Sequence, residues 1–89
     1  MDKYVWHSVR DELPPAGSQL LILATKHQFR DEDGDVNEDW TVKDIRLGYY
    51  DPMYKYAWSD EHDESIHTDE DFKITHWMFA PDMPEEQIW

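Results

Sequence analysis

Trp40-Thr-Val-Lys-Asp-Ile-Arg-Leu-Gly-Tyr-Tyr50 is the stretch whose reading decides the fold. From Lys43 onward it alternates: Ile45, Leu47 and Tyr49 fall on one face, Asp44, Arg46 and Gly48 on the other. A period of two is the strand period. Working outward, Gln19-Leu-Leu-Ile-Leu-Ala-Thr25 is a short unbroken apolar run after a turn signal, which favours a central strand over a helix. Asp51-Pro52 closes the alternating strand with a turn. Tyr54, Tyr56 and Trp58 alternate again and predict a third strand. Phe72-Lys-Ile-Thr-His-Trp-Met-Phe79 predicts a fourth, stopped by Pro81 and Pro84 ahead of a tail with Ile88 and Trp89.

Before the first strand, Trp6-His-Ser-Val-Arg-Asp-Glu-Leu-Pro-Pro-Ala-Gly17 carries two adjacent prolines, which remove amide donors and fix φ. An irregular lead-in is expected, with Trp6, Val9 and Leu13 covering one end of the core. Ser59–Asp71 has no convincing apolar stripe, although Thr68-Asp-Glu-Asp71 could cap one helical turn. The expected fold is mainly β, with α+β as the alternative. It is a small single antiparallel sheet of about four strands, with a Pro-rich N-terminal lead-in and acidic connecting loops, forming one domain over 1–89.

Composition supports a folded core. Five tryptophans, five tyrosines and three phenylalanines stand among 89 residues, and each buried aromatic removes on the order of 150–250 Å² from water. Cysteine is absent, so disulfides and thiolate zinc sites are excluded. No basic-then-apolar leader opens the sequence, and no apolar run reaches the roughly 18 residues of a membrane span, so a cytoplasmic protein is expected. Twenty-one acids against eight Lys and Arg give a formal charge of −13. That excess disfavours direct binding to nucleic acid or an anionic membrane and points to basic partners. Thirteen of the 21 acids lie in two windows without Lys or Arg. The first holds Asp31, Glu32, Asp33, Asp35, Glu38 and Asp39; the second holds Asp60, Glu61, Asp63, Glu64, Asp69, Glu70 and Asp71.

The first window fails as an EF-hand in either register. With Gly34 at loop position 6, Phe29 and Trp40 occupy positions 1 and 12; starting at Asp31 puts Val36 at position 6 and Val42 at position 12. Asp31, Asp33 and Asp35 could still converge on a cation, but Asp-Gly is hairpin chemistry and the acids suit an exposed tip. His62 and His67 have neither helical nor same-face strand spacing. His76 reads as a hydrogen-bonded structural histidine. His7, Ser8 and Asp11 supply triad residue types without triad geometry. No nucleophile elbow, P-loop or dinucleotide fingerprint is present, so no catalytic activity, cofactor or committed metal site is expected.

Several pieces form a pattern in order: Trp6-x-x-Val9-x-Asp11-x-Leu13-Pro14-x-x-Gly17, the strand Leu20–Leu23, Gly48-Tyr-Tyr50, and Ile74-Thr-His-Trp-Met78 before Pro81 and Pro84. The pattern resembles domain-of-unknown-function family 551, short proteins frequent in bacteriophages and prophages. Phe79-Ala80-Pro81 departs from the Pro-Leu-Pro segment of many members. The resemblance implies a phage-like origin and a shared scaffold, and no activity.

The leading expectation is a phage-encoded binding protein whose thirteen windowed acids occupy the basic groove of a host nucleic-acid-handling protein by mimicry. In a simple meander the first and third connections share an end, so both acidic loops are expected to cluster there. The alternatives are an accessory interaction domain whose acidity serves only solubility, or a weak metal-binding module. Self-association into a homodimer is the other partner expected.

Overall fold

The computed structural model describes residues 5–81, apart from the side chain of Ser18. Pro84 and the Ile88–Trp89 tail lie outside the described residues. Five strands form one antiparallel sheet: β1 (His7–Ser8), β2 (Gly17–Arg30), β3 (Val36–Tyr50), β4 (Trp58–Asp60) and β5 (Phe72–Phe79). The spatial order is β1-β5-β2-β3-β4. The fold is all-β, without a helix among the described residues, and hence without one long and apolar enough to cross a membrane.

β2 and β3 are far longer than their apolar runs. Lys26-His-Gln-Phe-Arg30 continues the two-residue period of β2, with His27 stacked on Phe29 at 4.3 Å and edge-on to Phe72 at 5.4 Å. β3 begins at Val36, so Glu38 and Asp39 are strand residues and the loop proper is only Asp31–Asp35. Of the strand expected over Tyr54–Trp58, only Trp58 is in a strand, as the first residue of β4; 54–57 is not. Asp51 Oδ1 accepts the Met53 amide at 3.0 Å and the Asp51 carbonyl accepts the Tyr54 amide at 3.3 Å, which curls the chain. Pairing with β3 resumes only at Trp58. The lead-in is mostly irregular, as its prolines require, yet His7 and Ser8 pair with Trp77 and His76 as a fifth, edge strand.

The buried side of the sheet is the one that the alternation of β3 leaves polar. Leu21, Leu23 and Thr25 of β2 are buried, and their partners on β3 are Gly48, Arg46 and Asp44. Directly paired residues share a face, so Ile45, Leu47 and Tyr49 lie on the opposite side, and Ile45 is 63% exposed. Gly48 explains the choice. A Cβ there would meet the Ser59 carbonyl and come within 2.8 Å of Leu23 Cδ1, so the backbone of β4 and the core close over a position that tolerates no side chain. Arg46 places its guanidinium over the ring of Phe72 at 5.7 Å, and Phe72 in turn packs against the core.

Leu21, Leu23, Tyr50, Ile66, Ile74 and Trp77 make the core, with Val9, Ala57, Trp58, Phe72 and Phe79 packed against it. Trp77 is 1% exposed, its Nε1–H donates to the Glu12 carbonyl at 2.8 Å, and His7 stacks on it at 4.5 Å. The lead-in is pinned to the core through Val9, His7 and Glu12. Trp6 and Leu13 do not cap the core as expected; they are 41% and 53% exposed, because pairing of β1 with β5 turns Trp6 edge-on to His76.

Candidate functional site

The two acidic windows are built on the same five-residue turn. In Asp31-Glu-Asp-Gly-Asp35, Oδ1 of Asp31 accepts the amides of Asp33 (2.9 Å) and Asp35 (3.1 Å). The Asp31 carbonyl accepts the Gly34 amide, and the Asp31 amide donates to the Asp35 carbonyl. Asp60-Glu-His-Asp-Glu64 repeats this bond for bond. Oδ1 of Asp60 accepts the amides of His62 (2.8 Å) and Glu64 (3.0 Å), and the backbone bonds Asp63 to Asp60 and Asp60 to Glu64 close the turn. The fourth residue is left-handed in both, Gly34 at φ 85° and Asp63 at φ 64°. Glycine and aspartate are residues that accept this conformation at low cost. Each leading aspartate therefore has a local task, the side-chain-to-backbone bonding that favours Asp in turns.

A third aspartate does the same at the start of β5. Oδ1 of Asp69 accepts the amides of Asp71 and Phe72, both at 2.8 Å, and this replaces the expected helical turn at Thr68–Asp71. These bonds favour the ionised carboxyl. The Glu64 amide foremost, and then that of His62, holds Asp60 below the usual carboxylate value; the Asp71 and Phe72 amides do so for Asp69.

The windows do not gather at one end of the sheet. The hairpin tip Asp31–Asp35 joins β2 to β3, whereas the Asp60 turn lies level with Gly48. Gly48 lies twelve residue steps along β3 from Val36, a distance of roughly 40 Å. The expectation of a simple meander failed because β4 is only three residues long and β5 pairs with β2 instead of β4. From the turn the chain pairs back along β4, with Ser59 bridged to Ser65 and the Ile66 amide bonded to the Trp58 carbonyl. Ile66 then drops into the core, and His67 stacks on Tyr56 at 3.9 Å. Asp69, Glu70 and Asp71 arrive beside the hairpin, where Arg30 holds Asp71 through Nε at 2.9 and 3.1 Å and the Gly34 carbonyl through a second nitrogen at 2.9 Å. The second window is a crossover that bridges the level of Gly48 and the hairpin.

Of the thirteen acids, Asp60 and Asp71 are half-buried; Asp31, Glu32, Asp33, Asp35, Glu38, Asp39, Glu61, Asp63, Glu64, Asp69 and Glu70 are exposed. They are strung along a molecule measuring 53 × 32 × 28 Å. One carboxylate oxygen each of Asp31, Asp33 and Asp35 lies within 4.8 Å of the others, so the convergence anticipated for them is present. Asp31 already directs an oxygen at two amides, however, and calcium asks for six to eight oxygen ligands. The remaining histidines are spread out. His62 is exposed beside Glu61, and His76 is exposed too, its Nδ1 2.9 Å from Oγ1 of the adjacent Thr75.

Two features escaped the sequence reading. Ile66 is the only apolar residue of its acidic window, and that isolation was its signal. The placement of Lys26, Lys43 and Lys73 opposite one another depends on strand register, which no local pattern reveals. Comparison with family models, with curated proteins and with solved structures gives no match to this chain.

Proposed function

We propose that this chain is an acidic binding protein that occupies, and so blocks, the basic groove of a nucleic-acid-handling protein. On the phage-like origin implied by its sequence pattern, that target belongs to the host. The observation that carries the reading is the acidic crossover. Seven of the thirteen windowed carboxylates lie on it, and it runs from the level of Gly48 to the hairpin that carries the other six, so one sign of charge is continuous along this path. Arg30 is the one base hydrogen-bonded to this acidic series among the described residues, through Asp71. Target Lys and Arg side chains would meet the free carboxylates in charge-assisted hydrogen bonds. Exposed Trp40, 52% accessible and on the same strand as Glu38 and Asp39, offers an apolar anchor beside them.

A plain interaction module is the second reading, and one observation favours it. Asp31, Asp60 and Asp69 are engaged by their own turns, so part of the acidity is architectural. Capture from nuclease-treated host lysate across a salt series separates the two. The mimic retains a protein that itself binds nucleic acid, releases it at moderate salt, and displaces labelled duplex from it. Changing Glu32, Asp33, Glu61, Glu64 and Glu70 to Gln or Asn abolishes the displacement while leaving the three turn aspartates intact. A partner held equally well by that variant would put the interface on other residues and refute the mimic.

A further inference from the structure

The side of the sheet away from the core carries a ladder of directly opposed residues. Lys73, Lys26 and Lys43 face one another across β5, β2 and β3. The next row is His76, Ala24 and Ile45, and the row after it Met78, Ile22 and Leu47. Tyr49 beside Ser59 ends the series. The described residues leave this side open. A groove of about 580 Å³ runs between Trp6, Ala24, Lys26, Lys43, Ile45 and His76. Like charges placed directly opposite destabilise a sheet, and none of these lysines belongs to an ion pair among the described residues.

We propose that this open face is the interface of a homodimer, the second copy packing sheet to sheet about a twofold axis that crosses the strands. Electrostatics selects the face. Two chains of −13 repel each other, and the cost of approach is least where lysines replace the acids. The lysine row, in a chain with eight bases in all, provides that place. The twofold axis then supplies complementarity. With the Leu47 and Ile45 rows at the centre, the strands of the two copies run antiparallel, and each lysine row lies over the partner's Tyr49 end. There Asp51 and Asp63, together with Tyr49, Tyr54, Lys55 and Ser59, line a second cleft of about 750 Å³. Between the two charged ends, Ile45 lies over the Leu47 of the second copy, and Ile22 and Met78 over its Ala24 and His76. Aligned sheets pack in this way at about 10 Å.

Four strands and the span from Lys43 to Tyr49 outline a patch of roughly 20 by 20 Å, about half of the 800 Å² that each partner gives to a standard interface. A micromolar dimer is therefore expected, with the acidic crossovers of both copies facing outward.

Sedimentation equilibrium of the full chain tests this. The expected result is a monomer–dimer equilibrium with a dissociation constant in the range of about 1–100 µM. Ile45→Lys changes an already exposed position and leaves circular dichroism unaltered. It lowers the net charge to −12, which favours association in general, and yet is expected to weaken the dimer by about tenfold or more. Lys43→Glu and Arg30→Glu each bring the charge to −15, and only Lys43→Glu, on the face, is expected to match that loss. A chain that stays monomeric to about 1 mM overturns the proposal. So does assembly beyond two copies, or a dimer indifferent to both Ile45→Lys and Lys43→Glu.

Discussion

Gly48 shows how one residue fixes which side of a strand is buried. Its backbone is closed in by the Ser59 carbonyl and by Leu23 Cδ1. Gly48→Ala therefore overpacks the junction of β3, β4 and the core, and should lower stability by about 1–3 kcal/mol. Urea unfolding followed by tryptophan fluorescence measures this, and a variant as stable as the parent would mean that β4 yields without cost. The strand identity of Lys43–Tyr50 was legible from its alternation, and so was the role of Trp77 as a core residue. The orientation was not. Alternation gives two faces and ranks them by apolarity, and here the more apolar face, Ile45 with Leu47 and Tyr49, is the open one. What decides is the absence of a side chain at Gly48, read only once the neighbouring strand is in place. Trp6 and Leu13 misled for a related reason: large apolar residues on an edge lead-in need not enter the core.

Among elements, the crossover from β4 to β5 is the one that composition concealed. Its acids read as a solvated loop, and most are; a single apolar residue, Ile66, ties the segment to Leu21, Leu23 and Trp77 in the core. Ile66→Ala is expected to cost about 2–5 kcal/mol, a large share of the stability of so small a domain. Its chevron or urea midpoint should fall accordingly. Loss of less than about 1 kcal/mol would show that the turns, not Ile66, hold the crossover. Those turns depend on pH in a definite direction. The folded pKa values of Asp60 and Asp69 lie below their unfolded values. Proton uptake on acidification therefore favours the unfolded chain, and the contribution of the two groups is complete above about pH 4 and withdrawn below it. Amide exchange at Glu64 and Phe72, the donors to these carboxylates, should accelerate below that pH before the β2–β3 ladder opens. Asp69→Asn, which keeps an acceptor but cannot titrate, should remove the effect at Phe72 and leave it at Glu64. The strand misplaced in the sequence reading has the same origin. Asp51, where β3 was expected to end and does, also bonds the Met53 amide and curls the chain through the stretch where the alternation of Tyr54 and Tyr56 would place a strand.

For the whole molecule, charge acts on folding and on binding with opposite signs. A chain at −13 repels itself when compact. Added salt shortens the Debye length from about 30 Å at 0.01 M to about 8 Å at 0.15 M and relieves that repulsion. The melting temperature should therefore rise over this range by several degrees, equivalent to roughly 1 kcal/mol. Association with a basic groove should weaken over the same range, because it draws on the attraction that salt screens. One salt titration of the chain and its captured partner thus carries two readouts that must move apart. Neutralising Glu32, Asp33, Glu61, Glu64 and Glu70 brings the charge from −13 to −8. It should flatten both slopes together, raising stability at low salt and removing the salt dependence of binding. Stability and affinity that rise together with salt would place the interface on apolar surface instead. The acidic crossover would then serve solubility alone, as its composition, read without the fold, already allowed.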